Sequence, residues 1–395
     1  MQYRTMPKSE DKLSALGFGC MRLPSKTGGA TIDKKTAMEQ VRYAIDHGVN
    51  YVDTAYLYPG SEAFLGECLK DGYREKVFLA TKLPCGTIAK RESMDEIFQT
   101  QLDRLQTDHI DYYLLHSMDG DTWDKMLSLG IIEFMNGLRQ SGKIRHMGFS
   151  FHGSNRDFKR MIYGYDWDFA QVQFNFLDEN FQAGIDGIRY AHEKGLGIII
   201  MEPLRGGTIT HKIPKEAQEV YSNAAIRRTP AEWGLRWVWN HPEVTVVLSG
   251  MNDMDNVKEN IATAETALPD SMTAEELEVI AKVRDSYHFR NNCTGCAYCM
   301  PCTVGINIPL AFSYWNKDGI EGGWMSKMYH SVMAGIATSD GKKHWASSCI
   351  GCGACEKKCP QHLPIRENMK QVHKDLETPF WRAATVVMKP FMSGK

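Results

Sequence analysis

Eight of the eleven cysteines lie between Cys293 and Cys359, and their spacing is the first sign of chemistry in the chain. Cys349, Cys352, Cys355 and Cys359, with Pro360 after the last, read CxxCxxCxxxCP. Three thiolates at this spacing can wrap one iron–sulfur cubane while the fourth, beside proline, reaches another, a pattern that implies paired [4Fe-4S] clusters. Cys293, Cys296, Cys299 and Cys302 nearly repeat it, with two residues before the fourth cysteine and Pro301 ahead of it. The spacing therefore assigns Cys293, Cys296, Cys299 and Cys359 to one cluster, and Cys349, Cys352, Cys355 and Cys302 to the other. Zinc is the competing ligand, but structural zinc usually takes two CxxC knuckles separated by a loop, and neither run is built as an isolated pair. Cys20, Cys68 and Cys85 stand apart and read as small buried residues. The odd total argues against a disulfide framework and for thiolates in a reducing compartment. The opening residues, MQYRTMPKSEDKLS, lack the apolar core of a signal peptide, so a cytoplasmic location is expected.

A second set of polar residues sits at the ends of short apolar runs. The runs span 15–19, 50–53, 77–82, 110–116, 144–150, 169–175, 197–202 and 244–249, and amphipathic stretches separate them. Met94, Phe98, Leu102 and Leu105, for example, fall on one helical face before the run that opens at Ile110. GLGIIIM and VTVVL read as strands buried on both faces, as parallel strands are. Eight such units in about 270 residues fit a (β/α)8 TIM barrel better than an open doubly wound sheet, and no GxGxxG follows the first strand. A barrel places its chemistry at the C-terminal strand ends. There the sequence offers Asp53 running on to Tyr58, then Lys82, His116, Ser150, Gln173 and Asn175.

Past Asp285 glycine, cysteine and proline punctuate short segments. The expected organisation is a barrel over 1–285 followed by a small iron–sulfur domain over 286–395, with helices near 310–316 and 324–334 between the cysteine runs. No low-complexity linker separates the two, so the second domain is expected to pack on the barrel. One helix after Arg366 and an apolar end, TVVMKPFM, complete the chain.

Composition excludes several classes of function. The chain has 395 residues, 43% hydrophobic, enough for a large core. Lys plus Arg number 46 against 48 for Asp plus Glu, so no basic excess is available to grip nucleic acid. No apolar run approaches the roughly 20 residues that span a bilayer.

The segments DTAYLYPGSEAFLG, ATKLP, LDRLQTDHIDYYLLH, GFS and NVKEN, in that order, resemble those of the aldo-keto reductase family over about residues 1–285. A subgroup of that family with a C-terminal, ferredoxin-like two-cluster domain resembles the whole chain. The resemblance implies a catalytic tetrad of Asp53, Tyr58, Lys82 and His116, acting on a small carbonyl or alcohol. A lone Asp-Thr-Ala is more often a helix cap, and a lone Leu-Leu-His more often a core histidine; their joint occurrence at successive strand ends favours the tetrad.

The chemistry of these four can be argued independently. Hydride transfer to a carbonyl builds charge on oxygen, which a proton donor must meet. Tyr58 suits that role, because an adjacent ammonium favours the phenolate and lowers a phenol from its usual value of about 10. Lys82 supplies that charge, Asp53 compensates it, and His116 directs a second hydrogen bond at the substrate oxygen.

The same resemblance implies a nicotinamide dinucleotide across the barrel mouth, with its carboxamide on Ser150 and Gln173 and with Asn175 as a third candidate. Met201 stands where many family members place a tyrosine on the nicotinamide, and its thioether can pack on the ring. At the adenine end the segment from Ser249 to Asn260 aligns on Glu259 and Asn260, which puts Gly250 and Asn256 where basic residues for a 2′-phosphate are expected. Asp253 and Asp255 lie nearby, so NAD(H) is slightly favoured over NADP(H), with Arg205 or a residue of the C-terminal domain able to reverse the choice. Nicotinamide gives electrons in pairs and clusters pass them singly. The expectation is thus an oxidoreductase whose clusters carry electrons, with a flavin or a redox partner protein to connect the two regimes. The alternatives are an electron-transfer module whose barrel docks a partner, and clusters that are purely structural.

Overall fold

The structure, a computed structural model, describes residues 1–25, 31–211, 213–321, 324–335 and 343–392. It divides into two compact units, Met1–Leu204 with Arg228–Leu277, and Arg205–Arg227 with Glu278–Lys395, so the division is not a single cut along the chain.

In the first unit, β1 (Tyr3–Thr5) and β2 (Lys12–Ser14) form an antiparallel hairpin. Eight parallel strands then close a barrel: β3 (Leu16–Gly19), β4 (Tyr51–Asp53), β5 (Phe78–Leu83), β6 (Ile110–Met118), β7 (Ile144–Phe151), β8 (Phe169–Gln173), β9 (Gly197–Met201) and β10 (Val246–Ser249). Closure comes where β10 pairs with β3, Val247 opposite Leu16. This is the expected (β/α)8 barrel, strand for strand.

Hydrogen bonding explains where strand limits differ from the apolar runs. Val244 belongs to a turn, its amide donating to His241 O, so β10 starts two residues later than the run. Asn175 opens another turn, accepting from the Asp178 amide, so β8 stops at Gln173. β6 instead runs past His116 to Met118, through a register irregularity against β7 between Leu115 and Met118.

The barrel core includes Tyr51, Tyr112, Leu114, Phe169, Ile199 and Val246, and the hairpin contributes Met6 and Leu13 to it. Gly197 makes room for this plug: a Cβ there would lie 2.2 Å from Met6 Sδ. The helix Glu92–Leu105 buries Met94, Phe98, Leu102 and Leu105, the face its periodicity foretells, and ends at Gln106 in the left-handed region.

The helices of the second unit include Lys215–Asn223, Ile308–Glu321, Trp324–Gly335, Ile365–Leu376 and Pro379–Met392, with one cysteine run before Ile308 and the other before Ile365. Its core gathers Phe312, Trp315, Ile365, Met369, Val372 and Leu376 around Cys299 and Cys359. The expected helices of the spacer are present, longer by several residues at the first. Of the apolar end, the backbone of 385–392 is helical and the side chains beyond Thr385 lie outside the described residues. Among the described residues no helix is long and apolar enough to cross a membrane.

Candidate active site and cluster ligands

Asp53 closes β4 and Lys82 lies near the end of the neighbouring β5, so parallel pairing brings their side chains together inside the barrel. Lys82 Nζ donates to Asp53 Oδ1 at 2.5 Å and to Thr54 O at 2.7 Å, and both side chains are almost wholly buried. Burial lowers the Lys82 pKa, while the Asp53 carboxylate pulls the other way. The ammonium stands 5.3 Å from the centroid of the Tyr58 ring. Tyr58 lies in the turn after β4 and is half-buried. Its ring meets that of His116 edge-on, with centroids 5.9 Å apart. His116 is placed by the irregularity in β6, where Ser117 adopts φ 56° and donates its amide to Ser150 Oγ at 2.8 Å. Burial, then Lys82 and His152, hold the His116 pKa well below its usual 6.5, so the imidazole is neutral near pH 7. The four residues of the expected tetrad therefore meet at one end of the barrel.

The residues expected at the nicotinamide divide into two kinds. Ser150, Gln173, Met201 and Ser249 all lie at the C-terminal ends of their strands. Ser150 Oγ accepts from Ser117 and keeps its own proton to donate, whereas Ser249 Oγ accepts from Asn260 Nδ2 at 3.0 Å. Gln173 and Asn175 both donate to Asp178 Oδ2, at 2.8 and 3.1 Å. Asn175 Oδ1 also accepts from the Leu177 and Asp178 amides, so its side chain pins the loop after β8. Glu259 accepts a hydrogen bond from Thr229, which caps the helix Pro230–Trp239. Asn256 is exposed on the helix Met254–Thr266, whose cap is the Asp253 side chain.

Two basic residues matter here. A Cβ on Gly250 would lie 3.7 Å from Arg22 Cβ, so Arg22 stands beside Gly250, with Nη2 3.7 Å from Glu202 Oε1. Arg205 is buried, with its guanidinium on the Phe289 ring.

In the second unit, burial pushes the Cys299 thiol up to about 12, and the thiols that add to this effect are Cys296, Cys293 and Cys359. A cavity is lined by Cys299, Cys302, Cys349, Cys352 and Cys355. Thr303 Oγ1 lies 3.5 Å from Cys352 Sγ. Cys359 thus lies near enough to the first cysteine run to act on it and Cys302 shares a cavity with three cysteines of the second, soft thiolates of the kind [4Fe-4S] clusters take, although among the described residues no three of them are drawn together as a metal-holding group. The isolated cysteines are buried, and burial pushes Cys68 up to about 11 and Cys85 up to about 12. A cavity of about 770 Å³ opens at the other end of the barrel, where Asp111 pairs with Arg74 at 2.8 Å and with Arg145 at 3.2 Å, away from the tetrad.

The family profile described as the aldo/keto reductase family matches residues 15–281. The chain belongs to that family. A profile described as a 4Fe-4S dicluster domain matches residues 292–364, so this aldo/keto reductase carries an iron–sulfur domain after its barrel. An aldo-keto reductase from Bacillus halodurans in its holo form, AKR11C1, superposes with a TM-score of 0.60 at 30% identity, covering 72% of this chain and 96% of that one. L-galactose dehydrogenase of Arabidopsis thaliana is 29% identical over 71% of this chain and 94% of its own length. The NADH-specific methylglyoxal reductase of Escherichia coli is 23% identical over 66% of this chain and 92% of its own. The chain is an aldo/keto reductase-type oxidoreductase.

Sequence reasoning about this reductase missed Gln171, whose Nε2 donates to Asp53 Oδ2 at 3.0 Å. Gln171 and Gln173 stand two apart on one strand and so share a face, a period-two signal that could have found it. Arg22 was also missed, because only the closure of β3 against β10 brings it beside Gly250.

Proposed function

We propose that the barrel moves hydride between a nicotinamide dinucleotide and a small carbonyl or alcohol, with Tyr58 handling the proton. The observation that carries this reading is the buried Lys82, salt-bridged to Asp53 and 5.3 Å from the Tyr58 ring. A buried ammonium needs its counter-ion, and together they leave a fixed positive field at the phenol. A nicotinamide, when bound, would be the source of hydride for the carbonyl carbon in reduction. Tyr58 donates its phenolic proton to the oxygen, and the phenolate left behind is stabilised by Lys82. Neutral His116 donates a hydrogen bond to that same oxygen. Ser150 and Gln173 would hold the carboxamide, Met201 would pack on the ring, and Ser249, Gly250, Asn256, Glu259 and Asn260 would line the adenine end. The acids at that end keep NAD(H) slightly favoured, and Arg22 is the basic residue able to oppose them.

The 286–395 domain holds two clusters, one on Cys293, Cys296, Cys299 and Cys359 and the other on Cys302, Cys349, Cys352 and Cys355, which exchange single electrons with a redox partner protein. Support for this comes from the exposure of Cys352 beside the buried Cys299 and Cys359.

Anaerobic turnover of a panel of small aldehydes and ketones tests the barrel reading. Tyr58→Phe should lower kcat by about 10²- to 10⁴-fold while nicotinamide binding stays unchanged. An unaltered kcat on a good substrate removes Tyr58 from the mechanism. Titration with NADH while following cluster absorbance tests whether the barrel and the clusters exchange electrons.

A further inference from the structure

Arg205 is the first residue of the second unit, four positions after Met201. Its side chain is 1% exposed, among the largest fully buried side chains of the protein. The guanidinium carbon lies 4.0 Å from the centroid of the Phe289 ring, and Nη2 donates to Asn292 Oδ1 at 3.1 Å. Asn292 immediately precedes Cys293. The backbone turns sharply to deliver this side chain: Arg205, Gly206 and Gly207 have φ of 50°, 62° and 88°, a left-handed run in which a residue with a long side chain is rare.

The segment that Arg205 touches is itself pinned. Asn291 Oδ1 accepts from the Cys293 amide at 3.2 Å. Asn316 Oδ1 accepts from the amides of Arg290 and Asn291, each at 3.0 Å, and Asn316 Nδ2 donates to Asn291 O at 3.0 Å. A buried cation is thereby held at a set place beside the first cysteine run.

We propose that Arg205 is a positioning residue for the cluster on Cys293, Cys296, Cys299 and Cys359, holding the ligand run through Asn292 and raising the reduction potential of that cluster. This rests on the assignment of those four cysteines as ligands. A cluster bound by four thiolates is net negative and gains one more negative charge on reduction. A guanidinium fixed nearby in a poorly solvated interior favours the more negative state, and net charge and hydrogen bonding are recognised controls of cluster potential. The cation also explains why the chain turns so sharply after β9: the loop that leaves Met201 ends on the residue next to a cluster ligand.

The test is an EPR-monitored redox titration of the full-length, anaerobically reconstituted protein. Iron is measured first on the same sample, so that a missing cluster overturns the ligand assignment and not the role of Arg205. In R205Q the midpoint of one cluster should fall while the other stays near its original value, and R205K, which keeps the charge, should stay close to the parent protein. Two unmoved midpoints in fully loaded R205Q overturn the proposal, as does a drop in R205K equal to that in R205Q. Where R205Q does not take up a full complement of iron, R205M supplies the second reading. It removes the charge while keeping an unbranched side chain, so one midpoint should fall in it as well, and two unmoved midpoints overturn the proposal.

Discussion

Gln171 Nε2 donates to one oxygen of the Asp53 carboxylate at 3.0 Å, while Lys82 Nζ takes the other at 2.5 Å. Both oxygens of the buried counter-ion are thus engaged, which fixes the direction of the field at Tyr58. Gln171→Leu should leave a buried carboxylate oxygen short of a donor, at a cost of about 1 to 3 kcal/mol. Burial already lowers the Lys82 pKa against the pull of Asp53. Gln171 also stabilises the carboxylate left behind when Lys82 loses its proton, so without it Lys82 should hold that proton to higher pH and the alkaline limb of the kcat profile should move to higher pH, with kcat down by about tenfold. An unchanged profile in a folded variant would separate Gln171 from the tetrad.

Iron and acid-labile sulfide should each come to about eight per chain, from two cubanes of four. The crossed ligand sets predict more. Cys293→Ala with Cys302→Ala strikes both clusters and should leave little iron, whereas Cys293→Ala with Cys359→Ala strikes one and should leave about four. The opposite pattern would restore a simple assignment by sequence order.

NADH should bind at least as tightly as NADPH, because Asp253 and Asp255 are exposed at the start of the helix that aligns with the adenine end. Repulsion of the 2′-phosphate weakens under screening, so the gap should narrow as salt rises. Dissociation constants of both nucleotides at low and high ionic strength measure this. A preference for NADPH that weakens with salt would point to Arg22, beside Gly250, as the first basic residue to substitute.

Glu377 should make the second unit sensitive to acid. Burial alone would raise its pKa, but hydrogen bonds from His330 at 3.0 Å, the Ala346 amide at 2.5 Å and His373 at 2.9 Å outweigh it and hold the carboxyl at about 2. A carboxyl depressed from its ordinary 4.5 to about 2 stabilises the fold above the higher value by roughly 3 kcal/mol, and that contribution disappears as pH falls from about 4.5 towards about 2. Thermal unfolding followed from pH 6 to pH 3 should show this loss, and Glu377→Gln should start less stable and vary less with pH. Equal slopes in both proteins would remove Glu377 as the cause.

The barrel, and the meeting of Asp53, Lys82 and His116 at one end of it, were legible because their signals are local. Runs such as GLGIIIM and VTVVL satisfy a buried parallel strand by composition alone, and Asp53, Lys82 and His116 each lie at or near the end of such a run. Cysteine spacing is equally local, since the three cysteines of a CxxCxxC run lie within one short stretch of chain. What lay beyond the sequence depends on closure and burial. Gln171 and Asp53 are 118 positions apart and meet only because the barrel shuts. Asn175, the third candidate for the carboxamide, lies two residues beyond the end of β8, where its amide also satisfies the backbone of the following turn. Arg205 is a basic residue that could serve a 2′-phosphate by its type alone, and the left-handed turn after β9 buries it against Phe289. Side-chain type announces which chemistry is available. Which buried polar groups meet is decided by the requirement that each be satisfied once the chain has packed, and no local pattern encodes that.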